Sequence, residues 1–189
     1  MKKILLIALV GSFFFEGYAQ MTVNGVSLPA KLKTSSTELT LNGAGVRKKA
    51  FFKVYVLGLF LREKNKDAAD IIKANEEMAV RLQITSSVVS SGNMSSAIKE
   101  GFEKSLKGNY NAMKPKIEAF IEIFSKDEIK EGDVFLLDYV PNVGLKSFKN
   151  GKLLATTEGE DFKKGLFGIW LGPDPVDSGL KTSILGNKK

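Results

Sequence analysis

The chain reads as an α+β domain built on an antiparallel sheet, and three observations carry that reading. Segments of strand character come in runs, followed by helical segments in runs, rather than alternating one by one. Phe51 to Leu61 is almost continuously apolar, as expected of a central strand covered on both faces. Asn150-Gly151 separates two strand-like segments, and both residue types tolerate the positive φ of a tight hairpin.

The first residues stand apart from this pattern. Lys2 and Lys3 precede an apolar run, Ile4 to Phe15, too short to span a bilayer. Gly17 and Ala19 then supply small residues at a cleavage site. The pattern predicts a secretory signal peptide over 1–19 and a mature domain over 20–189, secreted or periplasmic. About 170 residues suit one domain with one core. The chain has no cysteine, so disulfides cannot hold the fold and packing must. It has no histidine either. Zinc sites of His or Cys, Ser-His-Asp and Cys-His catalysis and His-ligated haem are excluded. No metal and no cofactor is expected. The formal net charge of +7 raises nucleic acid or anionic lipid as a partner. The lysines are interspersed with glutamates and form no basic stripe, so the sequence predicts a solvated surface and no nucleic-acid partner.

Along the mature chain, Thr22 to Leu32 and Leu39 to Arg47 read as strands, with a reversal at Lys48-Lys49-Ala50 before the central strand. Asp67 to Asn75 is a short helix capped by Asn65 or Asp67, and Ala79 to Val89 is a strand. Met94, Ile98, Phe102 and Leu106 form one helix face, capped by Asn93 or Ser95. Lys114-Pro115 marks the start of the next helix, with Ile117, Phe120, Ile121 and Phe124 as its stripe. Val134–Val140, Gly144–Lys149 and Lys152–Thr157 return to strand character. Phe162, Leu166, Ile169 and Trp170 define a third amphipathic helix that stops at Gly172-Pro173. A last short helix follows Pro175-Val176-Asp177.

Arg47 is the residue that raises a functional question, because it precedes the most apolar run of the mature chain. Two readings stay open: a solvated charge at a strand end, or one cation inside an apolar pocket. No Asp or Glu lies between Leu41 and Leu61, so the sequence shows no local counter-ion. A buried, unpaired guanidinium costs several kcal/mol, and a planar carboxylate from outside would relieve it bidentately. An apolar tail of about ten methylenes would add on the order of 8 kcal/mol before ordering costs. Phe51, Leu57, Phe102, Phe120 and Trp170 are candidates to line such a pocket, and each is equally explained as core. Tyr55 could share the carboxylate only if the chain reverses after Arg47, since eight residues of one strand span about 26 Å. Arg81, Asp138 and Tyr139 are further polar residues in apolar strands; an inward Asp138 would have a raised pKa.

Three stretches together resemble the chalcone isomerase-like family, particularly its secreted bacterial members: "LNGAGVRKKAFFKVYVLGLFL", "RLQITSSVVSSGNMSSAIKEGFEKSL" and "GLFGIWLGPDPVDSGLKTSILG". The resemblance implies an open-faced β-sandwich, a large antiparallel sheet with helices layered on one side and an apolar cleft between. It implies two functions. One is ring closure of a chalcone by intramolecular addition, with an arginine as electrophilic acid; the other is fatty-acid binding, with an arginine and a tyrosine holding the carboxylate. Arg47 sits where both branches have the arginine, and Tyr55 where the fatty-acid binders have the tyrosine. Met94 and Gly101 stand where the enzymes have a tyrosine and an asparagine, and Thr156 or Thr157 corresponds to a late threonine. The expected site is therefore Arg47, Tyr55, Met94, Phe102, Thr156 and Thr157, binding a small apolar carboxylate without catalysis. The alternatives are an isomerase using Arg47 as acid and an envelope interaction module without a ligand.

Overall fold

The computed structural model describes residues 20–34 and 36–187; the predicted signal peptide lies outside the described residues. Nine strands and five helices follow in the order β1 (Gln20–Val23), β2 (Val26–Pro29), β3 (Lys31–Lys33), β4 (Glu38–Lys49), β5 (Phe52–Leu61), α1 (Ala68–Lys73), β6 (Met78–Ile84), α2 (Ser91–Leu106), α3 (Tyr110–Ser125), β7 (Val134–Val140), β8 (Gly144–Lys149), β9 (Lys152–Thr157), α4 (Glu160–Leu171) and α5 (Ser178–Ile184). Strands β3 to β9 form one antiparallel sheet in chain order, and β1–β2 form a separate hairpin. The helices pack on one side of the curled sheet, the arrangement expected of an open-faced sandwich.

The alternation of β5 sorts its side chains between two cores. Tyr55, Leu57, Leu59 and Leu61 join the large core under the helices, with Met78, Val80, Leu82 and Ile84 of β6. Val56 and Phe60 point the other way, into a smaller core with Val26 and Leu28 of the β1–β2 hairpin. This is why the segment reads as continuously apolar: both faces are covered, by different elements.

One irregularity in β4 matters for everything downstream. Leu41 pairs with Phe60, but Gly43 pairs with Leu59, so Asn42 is an extra residue on β4. The bulge switches the facing of all later β4 residues. Leu41 faces the small core, whereas Gly43 and Gly45 face α5 and Arg47 pairs with Tyr55 on the helix side. Asn42 is fixed by two bonds: its Nδ2 donates to Ile184 O at 2.9 Å, and its Oδ1 accepts Asn65 N–H at 2.8 Å. Gly43 lets α5 approach closely, since a Cβ there would lie 2.5 Å from Ser183 O and 2.6 Å from Ile184 O.

Several expectations are corrected. The segment Thr22–Leu32 is not one strand, because Asn24-Gly25 turns with positive φ of 48° and 77°. The β4–β5 reversal lies at Ala50-Phe51, past Lys48-Lys49, which still pair across the ladder. Strand β6 ends at Ile84 rather than Val89. Helix α2 is capped by Ser90, whose hydroxyl accepts Asn93 N–H at 3.2 Å, instead of by Asn93 or Ser95. Helix α3 begins at Tyr110 and contains Pro115 inside it. Of the two expected caps of α1, Asp67 takes the place, accepting from Ala69 and Asp70.

Lys163 of α4 was not expected in the core, yet it is fully buried. Its Nζ donates to Ile72 O at 2.8 Å and Ala74 O at 2.6 Å, so it clamps α4 to the carbonyls at the end of α1. Burial pushes its pKa down to about 8.

The tight approach of α5 to β4 generates a prediction. Gly43→Ala should lower the urea unfolding free energy by about 1–3 kcal/mol, because the colliding atoms are backbone and cannot swing away. An unchanged unfolding midpoint would show that α5 is not held against the bulge.

Candidate functional site

Between the sheet and the helices lies a cavity of about 420 Å³, within the range of small-molecule sites. Its walls are apolar: Leu82 and Val54 from the sheet, Met94 and Ile98 from α2, Phe120 and Phe124 from α3, Ile169 and Trp170 from α4. Arg47 and Tyr55 stand together at one part of the wall. The exposed lining residues are Lys49, Ala50 and Phe52 at the β4–β5 turn and Val88, Asn93 and Ala97 before and within α2, and we take the mouth of the cavity to lie among them. Among the described residues, no Asp or Glu lines the cavity.

Arg47 and Tyr55 are direct cross-strand partners, with no offset in register. Opposed residues on one face of a ladder are neighbours about 5 Å apart, so the reversal resolves the 26 Å separation of an unbroken strand. Tyr55 is buried, and its hydroxyl accepts Trp170 Nε1–H at 2.9 Å. Burial pushes the phenol pKa up, while the Trp170 bond and the Arg47 charge oppose that shift. The hydroxyl therefore keeps its proton at neutral pH. An oxygen that already accepts the indole N–H has that proton to donate.

Arg47 is only one-fifth exposed at the side chain. Its Nη1 donates to Lys48 O and lies 3.6 Å from Asp177 Oδ2. Asp177 is the cap of α5: its carboxylate accepts Leu180 N–H at 2.9 Å and Lys48 N–H at 3.0 Å. Burial acts to raise the Asp177 pKa, but those two backbone donors and Arg47 outweigh it and hold the carboxyl below its usual value. The expectation of a guanidinium without a protein counter-charge is thus corrected. The counter-ion comes from the far end of the chain, well outside Leu41–Leu61. Asp177 was legible only as part of the last helix's start.

Of the predicted site, the cavity brings together Arg47, Tyr55 and Met94, with Phe120 and Trp170. Phe102 does not reach it; it is fully buried in an aromatic cluster, 5.2 Å from Phe162 and 6.1 Å from Phe120 between ring centres. Leu57 is core as well. Thr156 and Thr157 are on β9, the sheet edge, opposite Lys146 and Leu145, and line no part of the cavity. Phe51 is fully exposed at the hairpin tip instead of lining the pocket.

Arg81 faces away from the helices, half-buried, with Nη2 bonded to Gln83 at 3.1 Å, and is no second pocket cation. Tyr139 faces the large core and donates to Asn75 Oδ1 at 2.7 Å. Asp138, on the opposite sheet face, is buried nonetheless, and burial with the nearby Glu77 charge pushes its pKa up to about 6. Among the described residues, no cluster of three or more His, Cys, Asp or Glu could hold a metal, and no helix is long and apolar enough to cross a membrane.

The family model described as chalcone isomerase-like matches residues 20–186. The chain belongs to the chalcone isomerase-like family. Among solved structures it is similar to a fatty-acid binding protein of Arabidopsis thaliana, with a TM-score of 0.68, 18% identity, and coverage of 86% of this chain and 93% of that one. That likeness concerns the fold. Comparison with curated protein sequences returned no match. Within this chalcone isomerase-like chain, Met94 lines the cavity as an apolar wall. Gly101 is packed against Ile169 so closely that a Cβ would lie 2.9 Å from Ile169 Cγ2. An asparagine side chain at that position has no room.

Two predictions follow from these environments. Tyr55→Phe should destabilise the fold by about 1–3 kcal/mol in urea titration, since Trp170 Nε1–H would be left without its acceptor. Asp138 should make stability fall as pH rises from about 4 to about 6, because the unfolded chain releases the proton first while the folded chain retains it. Asp138→Asn should therefore gain stability relative to the parent between pH 3.5 and pH 7; a difference independent of pH would contradict the assignment.

Proposed function

We propose that this protein is a non-catalytic binding protein for a small apolar carboxylate, such as a fatty acid, acting outside the cytoplasm after removal of residues 1–19. The observation that carries the reading is the composition of the cavity. Its walls are apolar, its polar end offers donors from Arg47 and Tyr55, and it contains no carboxylate of its own. An apolar tail would be stabilised by burial against Met94, Phe120 and Phe124. A carboxylate head would meet the guanidinium and the phenolic proton, both held in place before the ligand arrives.

Asp177 tempers this attraction without removing it. It does not line the cavity, its separation from Arg47 is 3.6 Å, and two backbone N–H groups already occupy it. The ligand head would thus compete with a partly committed counter-ion. The binding energy then rests more on the tail and on directed hydrogen bonds than on relief of an isolated charge. The similarity in fold to a plant fatty-acid binding protein supports the same reading. Met94 and Gly101, in place of the hydroxyl and amide of the isomerases, weigh against ring-closing chemistry. The open cavity weighs against an interaction module without a ligand.

Displacement of a fluorescent fatty acid tests the proposal. The parent protein should bind the probe, and Arg47→Ala should weaken an acid by about 10- to 100-fold while leaving the alcohol of equal chain length almost unaffected. Equal loss for acid and alcohol, or no binding by the parent, would discard it.

A further inference from the structure

The turn that closes β4 on β5 differs from the other two-residue turns of the sheet and its hairpin. The turns Asn24-Gly25 and Asn150-Gly151 place Asn and Gly at positive φ, the residues that adopt it most readily. At Ala50-Phe51, an alanine holds φ of 52° and the next side chain is fully exposed. A residue pair that suits neither the turn nor the solvent stands at the mouth of the cavity. Ala50 and Phe52, on either side of Phe51, are part of that mouth, and Phe52 is itself half-exposed.

Two further features surround the tip. Lys48, Lys49 and Lys53 are all exposed beside it. Lys53 Nζ reaches Asn24 Oδ1 at 2.9 Å, and Lys49 borders the cavity. The nearby Glu100 of α2, which senses the charge of Lys49, is already paired with Lys104 at 2.9 Å. Across the mouth, Val88, in the loop between β6 and α2, is a second exposed apolar side chain that also lines the cavity. Exposed apolar side chains with exposed cations beside them match a surface that is greasy inside and anionic outside.

We propose that the β4–β5 tip docks on a lipid bilayer carrying anionic headgroups. Phe51 enters the acyl layer, Lys48, Lys49 and Lys53 meet the headgroups, and the cavity mouth between Phe52 and Val88 faces the membrane from which its ligand is drawn. The inference rests on the carboxylate-binding reading of the cavity, and adds where the ligand comes from and how it enters.

Co-sedimentation with vesicles of phosphatidylcholine, with and without phosphatidylglycerol, tests it. The parent protein should bind the phosphatidylglycerol vesicles and bind pure phosphatidylcholine weakly. Phe51→Ser should lose about tenfold in vesicle affinity, since one exposed phenyl ring no longer partitions. In vesicle-free buffer the same variant should bind a fluorescent fatty acid as the parent does, because Phe51 does not line the cavity. Vesicle binding that is absent, unchanged by Phe51→Ser, or equal for both compositions would overturn the docking proposal. So would a Phe51-dependent dimer in analytical ultracentrifugation without vesicle binding. Intact fatty-acid binding with no vesicle binding would sink the docking alone. Phe51-dependent vesicle binding with no fatty-acid affinity would support the docking face and sink the cavity reading.

Discussion

A single extra residue in β4 determines which core Arg47 can enter. With strict alternation after Leu41, Arg47 would point towards the β1–β2 hairpin, away from the helices. The bulge at Asn42 switches the facing and sets the guanidinium directly across from Tyr55. The bulge is itself stabilised by the chain's far end, since Asn42 bonds to Ile184 O and Gly43 makes room for α5. The same α5 starts at Asp177, the counter-ion of Arg47. Sheet register, helix docking and the charge of the site are therefore one mechanical unit.

That unit gives the polar end of the cavity its particular chemistry. Trp170 on α4 donates to the Tyr55 hydroxyl, which keeps the phenol oriented and leaves its proton free to be donated. Asp177 lies 3.6 Å from the guanidinium, so Arg47 is not a bare charge in an apolar medium. Under the proposed binding role, such a site would favour an anion over a neutral head.

The sequence was most legible where a residue's neighbours in space are also its neighbours along the chain or on one periodic face. Strand β5, the Asn150-Gly151 turn, and the apolar stripes of α2, α3 and α4 could all be read that way. The pairing of Arg47 with Tyr55 was open until the turn position was known, because Ala50-Phe51 carries none of the usual turn residues. The long-range roles of Asp177 and Lys163 are hidden for a different reason. Asp177 is readable as a helix cap, but its contact with Lys48 spans 129 residues and that of Lys163 with Ile72 spans 91, and no local pattern announces either. Thr156 and Thr157 rest on likeness to relatives and Phe102 on its place in an apolar helix stripe; the register of β9 and the aromatic cluster around Phe102 put all three outside the cavity. The overlooked Asn24-Gly25 hairpin, by contrast, was written plainly in the sequence.

Arg47 and Tyr55 are proposed to hold an ionised carboxylate inside an apolar cavity. Carbon-13 NMR of a carboxyl-labelled fatty acid bound to the protein tests this most directly. The bound resonance should be distinct from that of the free acid, stay at its ionised shift as pH is lowered through the ordinary carboxylate range of about 5 to 4, and lose that resistance in Arg47→Ala. A bound carboxyl that titrates as it does in water, or equally in both proteins, would contradict it.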